Sequence, residues 1–292
     1  MDTAEKATPP TIYYHAVKSF FRRKRNPDSH KGQNGTCLVI GGSEELAGAP
    51  AMAAMACLAC LRTGIDLVHA AAPEKAGWAI NALSPDLIVH KFRGKTLKKA
   101  HAKKALQLSE KCDACLIGPG MEKGKGQIAF AGAFLGKCKK PVVVDADAIA
   151  ACVKITFNGP AIVTPHAKEF EALTGKKCGS SLAEKIKAAK SAAASKKCVV
   201  LLKGRIDVIT DGKRTFLNRT GNAGMTVGGT GDVLAGLCTG FLCLGLKPLE
   251  AACAAAFVNG KIGDSLFRKM GYGFIASDFI AEIPKWTKKL AR

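Results

Sequence analysis

The chain has 292 residues, enough for one large α/β domain or two small ones, and its 48% apolar content can fill a sizeable core. The formal charge of +21, from 44 Lys+Arg against 23 Asp+Glu, attracts polyanions, including nucleotides, RNA and acidic membrane surfaces. Composition argues against two of these classes: three Tyr and two Trp offer little surface for stacking bases, and no uninterrupted apolar stretch is long enough to span a bilayer. In chain order, residues 1–10 are polar and carry no hydrophobic signal region. Residues 1–34 read as an N-terminal arm ahead of a domain at 35–292. The arm holds a short helix near 13–21, the cluster Arg22-Arg23-Lys24-Arg25 and a turn at Asn26-Pro27-Asp28.

The apolar run Thr36–Ile40 is a strand ending in Gly41-Gly42-Ser43, the Ala-rich run 48–62 a helix, and 66–71 the next strand. Stretch 96–110 is lysine-rich and helical in pattern. Ala114–Ile117 is a strand closed by Gly118-Pro119-Gly120. A helix over 125–136 leads to strand 141–144, which ends in Asp145-Ala146-Asp147. Ala161–Val163 runs into Thr164-Pro165-His166 and a helix beyond. Val199–Leu202 runs into Lys203-Gly204, and Asp207–Thr210 with 214–217 makes a hairpin around Asp211-Gly212.

Alternating strands and helices predict a single α/β core. Nearly every strand ends in a polar turn bearing Gly or Pro. Ligands of open α/β sheets bind beyond the carboxyl ends of the strands. The turns at 41–49, 118–120, 145–147, 164–169 and 203–207 are therefore expected to meet at one crevice, completed by the loop at 228–232.

That last loop is the most informative segment. Gly228-Gly229-Thr230-Gly231 runs into Asp232 and an apolar stretch that reads as a helix. Glycines let backbone approach a ligand closely, and a helix opening behind them turns unpaired N–H groups and the positive dipole end toward it. Phosphate is the natural occupant. A carboxylate beside such a hole would repel phosphate unless it handles a proton or a metal, so Asp232 suggests phosphoryl transfer to a hydroxyl. The competing reading is an Asp that merely caps the helix.

Twelve cysteines raise the question of zinc or disulfides. Cys57 and Cys60 lie in an Ala-rich helical run, and Cys112 and Cys115 flank the entry to an apolar strand. Zinc modules place such pairs on tight turns, so free thiols packed as small core residues fit better. They imply a reducing, cytoplasmic setting.

Seven ordered segments bear a family resemblance. They are 35–42 with Gly48-Ala49; Gly118-Pro119-Gly120; Asp145-Ala146-Asp147-Ala148; Thr164-Pro165-His166 with Glu169; Leu202-Lys203-Gly204; 221–236; and Ala276-Ser277-Asp278 before Ile283-Pro284. Over residues 31–284 the chain resembles the ADP/ATP-dependent NAD(P)H-hydrate dehydratases of the ribokinase-like superfamily. The resemblance implies a three-layer α/β sandwich with a mostly parallel central sheet, and repair of NADHX or NADPHX with ADP or ATP as co-substrate and Mg2+ as cofactor. It also implies a homo-oligomer, a tetramer by family habit.

By position it makes Asp232 the base, and Gly229, Thr230 and Gly231 the backbone donors to the transferring phosphoryl group. Ala49, Gly120, His166 and Asp232 would line the hydrate pocket. Lys203, Gly204, Arg205, Ile206, Asp207, Asn222 and Gly231 would hold the nucleotide. No side chain is assigned as a metal ligand, because Mg2+ in such sites is held mostly by phosphate and water. Two departures stand out. Ala167-Lys168 replaces the family's Pro-Gly, and Arg205, Ile206 and Asp207 follow Lys203-Gly204 where a small residue and a Thr or Ser are common.

Duller readings remain for single residues. His166 could be a helix-start histidine bonded to backbone, Lys203 a solvated cation, Asn222 a loop brace, and Asp145 and Asp147 caps of the following segment. Two rival functions are a ribokinase-like kinase of a vitamin precursor (hydroxymethylpyrimidine or hydroxyethylthiazole type) and a non-catalytic basic RNA-binding protein. The complete glycine loop with Asp232 argues against the second, and a solvated basic surface is favoured over nucleic-acid binding.

Overall fold

The computed structural model of the chain describes residues 8–21, 25–44 and 48–291. Residues 1–7, Arg22, Arg23 and Lys24 of the basic cluster, and 45–47 of the first strand-end turn lie outside the described residues.

Among the described residues, nine strands build the core: β1 (Thr36–Ile40), β2 (Leu67–Pro73), β3 (Ile88–Phe92), β4 (Ala114–Ile117), β5 (Val142–Val144), β6 (Ala161–Val163), β7 (Val199–Leu202), β8 (Asp207–Thr210) and β9 (Thr215–Asn218). They form one sheet in the order β3-β2-β1-β4-β5-β6-β7-β8-β9. Strands β1 to β7 pair in parallel, and only β8 and β9 run antiparallel. The order reverses between β1 and β4, where a parallel sheet opens a crevice at its carboxyl edge.

Residues alternate between the two faces of each strand. Cys37 and Val39 of β1 join one apolar core, Leu38 and Ile40 the other. The first core lies under α1 (Tyr14–Lys18), α2 (Ala49–Arg62), α3 (Glu74–Leu83), α8 (Thr230–Cys243), α9 (Pro248–Met270) and α10 (Ala276–Ala291). The second lies under α4 (Ala102–Glu110), α5 (Lys125–Leu135), α6 (Ala167–Thr174) and α7 (Leu182–Lys196). Helix, sheet and helix make the expected three layers. Helix α8 is buried along its length from Val233 to Cys243, which explains its apolar composition on every side.

The strands at Thr36–Ile40, Ala114–Ile117, Ala161–Val163, Val199–Leu202 and Asp207–Thr210 fall where the chain's patterning puts them. The 96–110 helix is shorter than expected: Lys99–His101 is a 3-10 turn and α4 starts at Ala102. Strand β3 and helix α3 escape the pattern reading. β3 is an edge strand of mixed polarity whose first residue is exposed. At the opposite edge, Thr11 bridges Leu217 of β9, and the Ile12 N–H donates to the Leu217 carbonyl at 2.9 Å. The described part of the arm thus covers that edge, which would otherwise present unpaired backbone groups.

The cysteines are free thiols. Burial pushes Cys57 up, and Cys112 up to about 12. Among the described residues no group of three or more His, Cys, Asp or Glu is arranged to hold a metal, and no helix is long and apolar enough to cross a membrane.

Candidate active site

Helix α8 begins at Thr230 because Gly229 turns the chain through φ +95°. A Cβ at Gly229 would sit 2.6 Å from Met55 Cε and 2.8 Å from the Ala276 Cβ, so both conformation and space require glycine. The Thr230 hydroxyl donates to the Met225 carbonyl (2.8 Å) and the Val227 carbonyl (3.1 Å), which ties the loop to the helix start. The first bond of the helix runs from Val233 N–H to the Gly229 carbonyl. The N–H groups of Thr230 and Gly231 therefore have no partner within the helix and form, with the dipole, its positive end.

Asp232 is in the first turn and only 9% exposed. Burial first, and repulsion from Asp145 second, push its carboxyl up to about 7, with Lys203 pulling the other way. Lys203 stands at the same helix start, its Nζ 3.6 Å from where a Gly231 Cβ would be. This ammonium donates to Asp145 Oδ1 at 3.0 Å and pairs with Glu169 Oε2 at 3.7 Å. The Thr164 hydroxyl donates to the same Asp145 oxygen at 2.6 Å. Burial alone would lower the Lys203 pKa; Asp145 and Glu169 outweigh it and the pKa ends above its ordinary value. With its side chain 20% exposed and two carboxylate partners, Lys203 is no solvated cation.

Hydrogen bonds tie the strand-end turns to one another. Gly42 N–H donates to the Pro119 carbonyl at 2.8 Å. Glu122 N–H donates to Asp147 Oδ2 at 2.8 Å, and the Ser43 hydroxyl donates to the Glu122 carboxylate. Burial raises the Asp147 pKa, and the Glu122 N–H partly offsets it. Gly118 runs at φ +130°, and a Cβ there would lie 1.8 Å from the Asp145 carbonyl oxygen. Asp145 makes no side-chain cap for the 3-10 turn Ala146–Lys154; its carboxylate belongs to the Lys203–Thr164 cluster. Ala146, at φ +48°, holds a left-handed conformation costly for any residue but glycine.

The substrate-pocket candidates fare differently. Gly120 lies beside Gly118 in the same turn, at φ +62°. Ala49 opens α2, and its side chain lies outside the described set. His166 caps α6: its Nδ1 accepts from Lys168 and Glu169 N–H, and Glu169 returns a bond to the His166 N–H at 2.9 Å. The cap leaves Nε2 carrying the proton. Residues Ala167-Lys168, in place of Pro-Gly, supply the first helical turn that the cap holds.

The nucleotide candidates occupy the turn between β7 and β8 and the stretch after β9. Lys203 N–H donates to the Pro165 carbonyl at 2.8 Å. Gly204 and Arg205 are exposed and Ile206 half-buried. The Asp207 carboxylate accepts from Gly204 N–H and from Asn218 Nδ2, each at 3.0 Å, and burial pushes it up to about 6. Both of its oxygens are thus spent bracing the turn. Asn222 Oδ1 accepts from Gly224 N–H (3.0 Å), while Gly221 N–H and Asn222 Nδ2 reach the Asp264 carboxylate at 3.3 and 3.4 Å. Asp145, Thr164, Asn218 and Asp264 take part in these contacts without being among the candidate site residues. Asp145 and Thr164 are visible in the sequence as strand-end turn residues, and Asn218 and Asp264 carry no such signal.

A profile of the NAD(P)H-hydrate dehydratase family matches residues 37–285. The chain belongs to this family. It is 44% identical over 269 residues to the bifunctional NAD(P)H-hydrate repair enzyme Nnr of Pyrobaculum aerophilum, covering 91% of this chain and 53% of that protein. It is 36% identical over 277 residues to the ADP-dependent (S)-NAD(P)H-hydrate dehydratase of Nitrosopumilus maritimus, covering 94% and 95%. The chain thus spans about half the length of the bifunctional relatives and nearly all of the single-function one. The solved ADP/ATP-dependent NAD(P)H-hydrate dehydratase of Bacillus subtilis, co-crystallized with ATP/Mg2+, superposes with a TM-score of 0.84 at 28% identity, over 97% of this chain and 99% of that one.

Proposed function

We propose that this chain dehydrates NADHX or NADPHX back to the reduced cofactor by transiently phosphorylating the 6-hydroxyl, with ADP or ATP as donor. The observation that carries this reading is one juxtaposition: a buried carboxyl poised at about 7 beside a helix N-terminus and the Lys203 ammonium. Hydroxide leaves poorly near neutral pH, whereas phosphate leaves well. Asp232 takes the hydroxyl proton as its oxygen attacks the terminal phosphorus, breaking the bond to the bridging oxygen and releasing AMP from ADP or ADP from ATP. The N–H groups of Gly229, Thr230 and Gly231 hold the charge on the transferring group, and each such donor is worth about 3 kcal/mol of barrier. The ring nitrogen's lone pair then expels phosphate, and loss of a ring proton restores the dihydronicotinamide.

Gly120, Ala49 and His166 border the hydrate, and the backbone of 203–207 with Asn222 borders the nucleotide. Mg2+ would be held mainly by phosphate and water, with the carboxylates Asp145 and Asp147, at the end of β5, as the protein groups available to it. When bound, Mg2+ neutralises phosphate charge. By family habit the chain assembles as a homo-oligomer.

The test is turnover, read as the near-ultraviolet absorbance of the reduced nicotinamide, with each hydrate and either nucleotide. The reading predicts a rise that Asp232→Asn removes. A stable phosphate ester of a vitamin precursor with no such rise would instead establish the kinase reading.

A further inference from the structure

The β7–β9 side of the crevice is taken by the nucleotide turn, so a dinucleotide whose hydroxyl meets Asp232 must extend over β4, β1 and β2 toward β3. Four strand spacings separate β5 from β3, about 19 Å, which is the reach of an extended dinucleotide. The far end of that path is basic. Residues 91–111 hold eight Lys or Arg and one acid, Glu110, and among the described residues no ion pair ties any of the eight.

Arg93 and Lys95 are exposed just past β3. Their loop is fastened to the crevice: Glu44 N–H donates to the Lys95 carbonyl at 3.1 Å. The nearby Glu44 carboxylate is occupied by Lys75, through its N–H at 3.3 Å and its ammonium at 3.9 Å. Lys98 N–H donates to His101 Nδ1 at 3.1 Å, fixing the other end of the loop. Burial, then Lys98 and Lys104, lower the His101 pKa.

We infer that Arg93 and Lys95 bind the 2′-phosphate on the adenosine ribose, so that this chain prefers NADPHX to NADHX. The inference rests on the dehydratase reading above. A guanidinium fork and an ammonium two residues apart on one exposed loop suit a dianionic phosphate, and NADHX has only a hydroxyl there.

The test compares kcat/KM for both hydrates in the full chain, the Arg93→Ala/Lys95→Ala variant, and a Lys187→Ala/Lys190→Ala variant on exposed positions of α7 that changes net charge equally. The expected preference for NADPHX is about tenfold at low salt, carried by KM, and it narrows as salt rises. The rim variant should bring the ratio close to one, with kcat for NADPHX retained, and the α7 variant should leave the ratio unchanged. Equal kcat/KM for the two hydrates, or a ratio that survives the rim variant, overturns this inference while the dehydratase reading stands. Turnover of neither hydrate overturns both.

Discussion

Asp232→Asn should cripple turnover and yet stabilise the fold, because the fold holds this carboxyl against its preference. Its pKa moves from an ordinary 3.8 to about 7, through burial and then Asp145. The sign follows from linkage. The folded value lies above the unfolded one, so the group favours the folded state fully only below pH 3.8, and stability is lost as the pH rises through about 7. Relative to a neutral side chain, the wild-type cost is about 2 kcal/mol near pH ~5.5 and about 4 kcal/mol near pH ~8.

Asparagine keeps the shape and an amide oxygen that still accepts from the backbone N–H, so exchanging the charged acceptor for a neutral one costs at most about 1 kcal/mol. Urea unfolding at the two pH values measures the difference directly. The variant should be more stable at both, with its advantage widening by about 2 kcal/mol toward the higher pH, while kcat falls by about a thousandfold. A pH-independent gap, or a variant less stable at the higher pH, would refute the assignment of a buried, repelled carboxylate.

Three further outcomes are expected. Lys203→Met leaves Asp145 and Glu169 without their shared cation and should cost about 3 kcal/mol in a thermal melt above neutral pH; an unchanged melt would mean that the cation is dispensable. Gly118→Ala drives a methyl into the Asp145 carbonyl oxygen 1.8 Å away, so turnover should collapse together with about 3 kcal/mol of stability; a wild-type melt and rate would contradict this geometry. The rate constant kcat/KM should fall about tenfold per pH unit below the Asp232 value of about 7, because the base must be ionised to act. A flat profile through that range removes Asp232 from the role.

The central strands are legible in the chain because they are buried on both faces: β1, β4 and β7 are unbroken apolar runs closed by Gly or Lys-Gly. Edge strand β3 is not, since partial exposure mixes His90 and Lys91 into it and blurs the pattern. The Asp232 loop is legible for a local reason, as its glycines and carboxylate are contiguous. Asp207 is the opposite case. Its charge looks misplaced beside a nucleotide until Asn218, one strand over, and Gly204 N–H are found to take it. Asp264 braces Gly221 and Asn222 from α9, more than forty residues further on, and no short-range pattern announces such a partner. His166 is legible too: its place after Thr164-Pro165 suggests a helix-start histidine bonded to backbone, and it caps α6 in that way.

Where the hydroxyl oxygen goes is the most direct test of the account. A hydrate carrying a heavy-oxygen label in its 6-hydroxyl should, with Mg2+ and the effective nucleotide, yield inorganic phosphate that contains the label, one per reduced cofactor formed. Label recovered in water, with unlabelled phosphate, would mean that the hydroxyl leaves without being phosphorylated and would contradict the mechanism built on Asp232 and its helix.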